Sequence, residues 1–144
     1  MSYGYVYVAQ VSMGADYNQC IKAMVEAENY NGPSIVICYA PCINHGIKGG
    51  MTQAEAEMKK AVEAGYWHLF RFDPTKKANG ENPFTLDSKA PKGSYRDFIA
   101  GEVRYSSLTR TFPDRAGRLF DDADKIAHDK YEHLLRLSKL YDVE

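Results

Sequence analysis

Three apolar runs, separated by two stretches of helical spacing, constrain the first half of this chain more than any other feature. The runs are Gly4-Tyr5-Val6-Tyr7-Val8-Ala9-Gln10-Val11, Ser34 to Tyr39 and Trp67-His68-Leu69-Phe70-Arg71-Phe72. Near-continuous apolar runs of this length suit strands covered on both faces. Between the first two, Asp16 is placed to cap a helix carrying Ile21, Met24, Val25 and Glu28 at helical spacing, and Gly32-Pro33 ends it. Between the second and third, Thr52-Gln53-Ala54-Glu55 reads as a capping box, and the helix it opens closes at Gly65. The order β-α-β-α-β predicts an α/β fold, a three-layer sandwich fragment with a mostly parallel sheet and right-handed crossovers. A strand starting almost at Met1 needs neighbours for its backbone groups, so the sheet is expected to continue in sequence ahead of this chain.

The second half has a different character. Residues 74–93 hold Pro74, Pro83 and Pro91 with Gly80 and Asn82, and read as a long loop with a short strand at Phe84-Thr85-Leu86. Loops of this length inside a compact domain are functional or pack against something outside it. Residues 94–144 read as a helical extension. Ser94 caps a short helix containing Phe98 and Ile99, and Pro113 sits at the first position of a final helix. The stripe of that helix is Leu119, Ala123, Ile126, Ala127, Tyr131, Leu134, Leu137 and Tyr141. Residues 1–144 thus form one expected domain, with 1–73 as its βαβαβ core.

Several function classes are disfavoured by composition. The formal net charge is −1, which gives no signature of nucleic acid or of an anionic membrane surface. No run approaches the ~20 apolar residues of a membrane span, and the N-terminus lacks the pattern of a secretory signal. Three cysteines with no framework spacing point to a reducing compartment, here the cytoplasm.

Chemistry-bearing residues gather after the second run, in Cys38-Tyr39-Ala40-Pro41-Cys42-Ile43-Asn44-His45-Gly46, followed by Gly49 and Gly50. Loops at the carboxyl end of a strand are where α/β folds place their sites. Cys42 is the leading candidate. As a nucleophile it would need a base, for which His45 is the nearest imidazole; as a metal ligand it would need partners; otherwise it is an inert loop thiol. Asn44 is placed to fix the loop through the backbone. Cys38, within a strand, and Cys20, in mid-helix, read as structural, so the chain cannot build a four-cysteine site by itself. His45, His68, His128 and His133 have no metal-ligand spacing, and His128 and His133 read as solvated. Arg71 and Asp73 could contact an anion, but an ordinary surface pair is the simpler reading. No G-x-G-x-x-G, P-loop or complete thiamine diphosphate motif is present.

Several long segments nevertheless resemble a known family. They are Gly4 to Ala9, Val11-Ser12-Met13-Gly14, Tyr39-Ala40-Pro41-Cys42-Ile43-Asn44-His45-Gly46, Gly65 to Pro74, and Asn82 to Pro91. In this order they resemble the carboxyl-terminal part of the thiamine-diphosphate-binding domain of pyruvate:ferredoxin (flavodoxin) oxidoreductases. The resemblance implies a piece of an enzyme that oxidatively decarboxylates pyruvate with coenzyme A to acetyl-CoA and carbon dioxide. It implies thiamine diphosphate with magnesium, 4Fe–4S clusters, ferredoxin or flavodoxin as acceptor, and a homodimer when full length. It also implies that Cys42 is the fourth ligand of the cluster nearest the cofactor, with the other ligands and the magnesium and diphosphate motif upstream. The chain alone is then expected to be inactive and to bind none of these groups. The alternatives are a non-catalytic α/β docking scaffold and a related 2-oxoacid:ferredoxin oxidoreductase.

Overall fold

A computed structural model describes residues 1–140; Tyr141, the last residue of the expected C-terminal stripe, lies outside them. The elements are β1 (Tyr7–Val11), α1 (Tyr17–Asn29), β2 (Ser34–Cys38), a short 3-10 turn (Met51–Gln53), α2 (Ala54–Glu63), β3 (Phe70–Phe72), α3 (Pro74–Ala78), β4 (Phe84–Leu86), α4 (Tyr95–Gly101), α5 (Val103–Ser106), α6 (Leu108–Thr111) and α7 (Pro113–Leu140).

The local signals explain most boundaries. The Asp16 side chain accepts from the Gln19 N–H, and Ser94 accepts from the Asp97 N–H. Pro113 opens α7, where its missing N–H costs nothing. Gly65, at φ +74°, ends the turn after α2. The expected capping box does not form: α2 has Gln53 at its cap with no side-chain bond, because the preceding 3-10 turn already enters the helix.

The fold class is α/β with a long C-terminal helix, arranged in three layers. One face of the sheet presents Val6, Val8, Phe70, Phe72 and Phe84 to Leu134 and Leu137 of α7. The other presents Tyr7, Ala9 and Val11 to Cys20, Ala23 and Ala27 of α1. The two sets alternate along β1, as strand geometry demands. The strand order is β2-β1-β3-β4. β1 and β2 are parallel, with Val8 opposite Ile35. β3 runs antiparallel to β1, with Ala9 opposite Arg71, and β4 runs antiparallel to β3. The sheet is thus mixed, and β3 departs from the parallel direction expected of it. The reason is where α2 lies. It packs on α4 through Ala61, Ala64, Phe98 and Ile99 and does not cross back over the sheet. The chain therefore enters β3 from the edge at which β2 ended.

Three burial expectations change. β2 is an edge strand, and Ile35 and Ile37 are about half exposed (52% and 44%). In α1 the apolar stripe Ile21, Met24 and Val25 faces outward, because the small residues Cys20, Ala23 and Ala27 pack against Tyr7 and Tyr30. In α7 only the C-terminal part of the stripe enters the core; Leu119 and Ile126 are exposed while Tyr131 and Leu134 are buried. The segment 74–93 contains the short strand expected at Phe84–Leu86, here β4, and in addition the helix α3.

Arg71 is not a surface residue. Its Nε and one terminal nitrogen donate to Asp87 (2.9 and 2.8 Å), and the other donates to Glu26 at 2.6 Å. Asp87 also accepts from Gln19, and Glu26 accepts from the Tyr7 hydroxyl. Asp73 takes no part; it caps α3 through the Thr75 N–H.

His68 is fully buried and its Nε2 has no partner. Burial first, and the Lys130 charge second, lower its pKa from 6.5 to about 4. The folded state therefore holds His68 neutral at pH values where the unfolded chain protonates it. Stability from this group is complete above pH 6.5 and is lost as pH falls toward 4. A shift of this size is worth about 3 kcal/mol. Urea titrations at pH 7 and pH 4 are expected to differ by about that much less in His68→Gln than in the wild type. An equal pH dependence in both would contradict this account.

Candidate functional site

Because β1 and β2 are parallel, their carboxyl ends open on one side of the sheet. The chain leaving β2 there folds into a tight loop. The N–H groups of His45 and Gly46 both donate to the Cys42 carbonyl (3.0 and 3.1 Å). Gly46 adopts φ +72°, a conformation that costs other L-residues about 1–2 kcal/mol.

The loop is clamped from outside. The Lys48 N–H donates to the Gly101 carbonyl at 3.0 Å, the Val103 N–H donates to the Gly46 carbonyl at 3.2 Å, and Ile47 bridges to Glu102. Ile47 is buried beneath this clamp. Gly46→Ala is expected to destabilise the chain by about 1–3 kcal/mol, through its positive φ and a new Cβ 3.3 Å from Val103. Gly49→Ala, whose Cβ meets only the flexible Gln53 side chain, is the control and is expected to cost less. Thermal unfolding of the two variants side by side tests the difference.

The clamp shapes a cavity of about 260 Å³ lined by Tyr39, Cys42, His45, Tyr66, Glu102, Arg104 and Tyr105, with Ala40 and Pro41. Its floor is aromatic. Tyr39 packs on Trp67 (ring centroids 5.5 Å apart) and Tyr66, and Tyr66 packs on Phe98 (4.8 Å). The Trp67 indole N–H donates to the Val11 carbonyl at 3.1 Å, tying this floor to the end of β1. The Tyr66 and Tyr105 hydroxyls share a hydrogen bond of 3.0 Å. Burial pushes both Tyr39 and Tyr66 well above the usual phenol range, so they stay protonated.

Cys42 is exposed at this cavity, as are His45 and Arg104, whose guanidinium lies 3.0 Å from the His45 Nε2. Glu102 is buried, and its Oε1 has no partner. Burial, and secondarily Glu57, raise its pKa and favour the protonated acid.

The candidates read from sequence separate clearly. Cys42 and His45 meet at the cavity. Asn44 lies exposed in the same loop with no side-chain bond to the backbone. Cys20 is buried against Tyr7 and Ala23, as a structural thiol should be. Cys38 is exposed, a consequence of β2 being an edge. His68 is in the interior, and His128 and His133 are exposed on α7. Tyr66, Glu102, Arg104 and Tyr105 had no local signature; Arg104 is 59 positions from His45, and only the clamp brings them together.

The Cys42 thiol is open at the carboxyl ends of the strands and is ringed by hydrogen-bond donors. Among the described residues, no group of three or more His, Cys, Asp or Glu side chains is placed to hold a metal ion. The donor set nevertheless fits one corner of an anionic iron–sulfur cluster: a soft thiolate flanked by a guanidinium, an imidazole and phenol hydroxyls.

Comparison with known proteins agrees with the motifs. The chain is 54% identical over 139 residues to the pyruvate:ferredoxin oxidoreductase of Moorella thermoacetica, covering 96% of this chain and 12% of that protein. It is 54% identical to the pyruvate-flavodoxin oxidoreductase of Klebsiella pneumoniae, again over 96% of this chain and 12% of that protein. It is 49% identical, over 83% of this chain and 6% of the relative, to the mitochondrial pyruvate dehydrogenase [NADP(+)] of Euglena gracilis. No protein-family model matches it. The chain thus matches one segment of the pyruvate:ferredoxin and pyruvate-flavodoxin oxidoreductases, and it spans about an eighth of their length. Among the described residues, no helix is long and apolar enough to cross a membrane.

Proposed function

We propose that this chain is part of a cytoplasmic enzyme that oxidises pyruvate with coenzyme A to acetyl-CoA and carbon dioxide, passing electrons to ferredoxin or flavodoxin. Within it, Cys42 supplies one thiolate to a 4Fe–4S cluster whose other ligands come from elsewhere in the polypeptide. The reading rests on one observation above the rest: an exposed thiol, Cys42, in a clamped loop at the strand ends, beside the His45 and Arg104 side chains in one cavity. In such an enzyme thiamine diphosphate with magnesium supplies the decarboxylation, and the clusters carry electrons away one at a time. The work of this chain is placement. The clamp at 101–103 fixes the backbone of the Cys42 loop, and the Tyr39–Trp67 floor excludes water beneath it. The homodimer belongs to the same proposal.

The test is anaerobic iron and sulfide analysis, with a visible spectrum, of this chain and of the full-length protein. Cluster absorbance is expected only in the full-length protein. A cluster absent from both, with thiamine diphosphate still bound, would sink the reading. A docking scaffold without catalysis is the second reading, favoured by the open edge of β2 with its exposed Ile35 and Ile37. It requires full-length protein lacking this segment to keep its cluster content.

A further inference from the structure

Arg104 has no role in the reading above, yet its position is unusual. It lies on α5, immediately after Val103 of the clamp that holds the Cys42 loop, and lines the same cavity as Cys42. Among the described residues its guanidinium forms no ion pair; it lies 3.0 Å from the ring nitrogen Nε2 of His45. Arg96 is paired with Asp121, and Arg71 with Asp87 and Glu26. Glu102, which also lines the cavity, is buried, and burial first and Glu57 second raise its pKa. Arg104 thus brings to the cavity a positive charge that cannot be titrated away, because guanidinium stays protonated in proteins.

We propose that Arg104 is the fixed cation that sets the reduction potential of the centre ligated by Cys42. This rests on the assignment of Cys42 made above. Reduction adds one negative charge to an already anionic group. A nearby positive charge stabilises that product more than the oxidised form, and so raises the potential. The clamp makes the effect reproducible. Gly101 and Val103 hold the loop by backbone bonds, which fixes the backbone at Arg104 relative to the Cys42 loop. Arg104 is a positioning residue for charge and touches no substrate.

The experiment is an EPR-monitored redox titration of the full-length protein, following the cluster signal that disappears in Cys42→Ala. In Arg104→Gln that signal is expected at full intensity, with unchanged iron content and a midpoint displaced to more negative potential. In Arg104→Lys, which keeps the charge, the midpoint is expected close to wild type. An unmoved midpoint in Arg104→Gln overturns the proposal, as does the same displacement in Arg104→Lys. Loss of iron in Arg104→Gln also overturns it, since Arg104 would then hold the loop and not tune the centre. If Cys42→Ala retains every cluster signal, the ligand assignment itself fails, an outcome distinct from the other three.

Discussion

Full-length protein carrying Cys42→Ala is expected to lose one 4Fe–4S spectrum and most of its electron transfer while folding normally. The two halves of this expectation come from different observations. Cys42 is exposed and its side chain forms no hydrogen bond, so the thiol contributes little to stability. Surface changes of this kind usually stay within about 0.5 kcal/mol. The loop bonds that matter use the Cys42 carbonyl, which alanine retains. Loss of a ligand, by contrast, leaves an iron open. Removing even an outer-shell partner of a metal site costs roughly 10–100-fold in affinity or activity, and a direct ligand should cost at least that. Iron analysis together with a melting curve distinguishes the cases. Normal melting with full iron content and activity would show that Cys42 is an ordinary loop thiol.

Arg71→Met is expected to be among the most damaging single changes to the fold. The guanidinium side chain is 8% exposed, and its partners Asp87 and Glu26 are 13% and 23% exposed. Methionine fills similar space but strands two carboxylates in a region with little water. Breaking a buried ion pair from one side costs about 3–5 kcal/mol, a large part of the 5–15 kcal/mol that holds most domains together. Adding Asp87→Asn and Glu26→Gln should recover part of the loss, because neutral amides tolerate burial better than unpaired charges. Urea unfolding of the single and triple variants measures both effects. A single variant within 1 kcal/mol of wild type would mean that the network is solvated.

The network also shows what could and could not be read from the chain. Caps and stops are local chemistry, so Asp16, Ser94, Pro113 and Gly65 marked their boundaries correctly. The apolar runs marked strands, and the end of the second placed Cys42 in the loop that follows it. Direction and burial are not local. The reversal of β3 depends on α2 choosing α4 over the sheet, a contact between residues near 61 and 98. Arg71 looked like a surface ion because its partners lie 16 and 45 positions away. Glu102 and Arg104 reach Cys42 only through backbone pairing of two irregular segments, which has no periodicity to detect. The outward stripe of α1 had the right spacing and the wrong face, because three small residues on the opposite side allowed closer packing.

The edge strand β2 has a consequence for handling this chain outside its parent. It offers a row of unpaired backbone groups beside Ile35 and Ile37, with Ile21, Met24 and Val25 exposed on α1. Flat, apolar edges of this kind recruit further strands. A formal net charge of −1 supplies almost no long-range repulsion to oppose that recruitment. The colloidal behaviour of the isolated chain is therefore set by this edge, and solutions of it should turn turbid with concentration well before the helices melt.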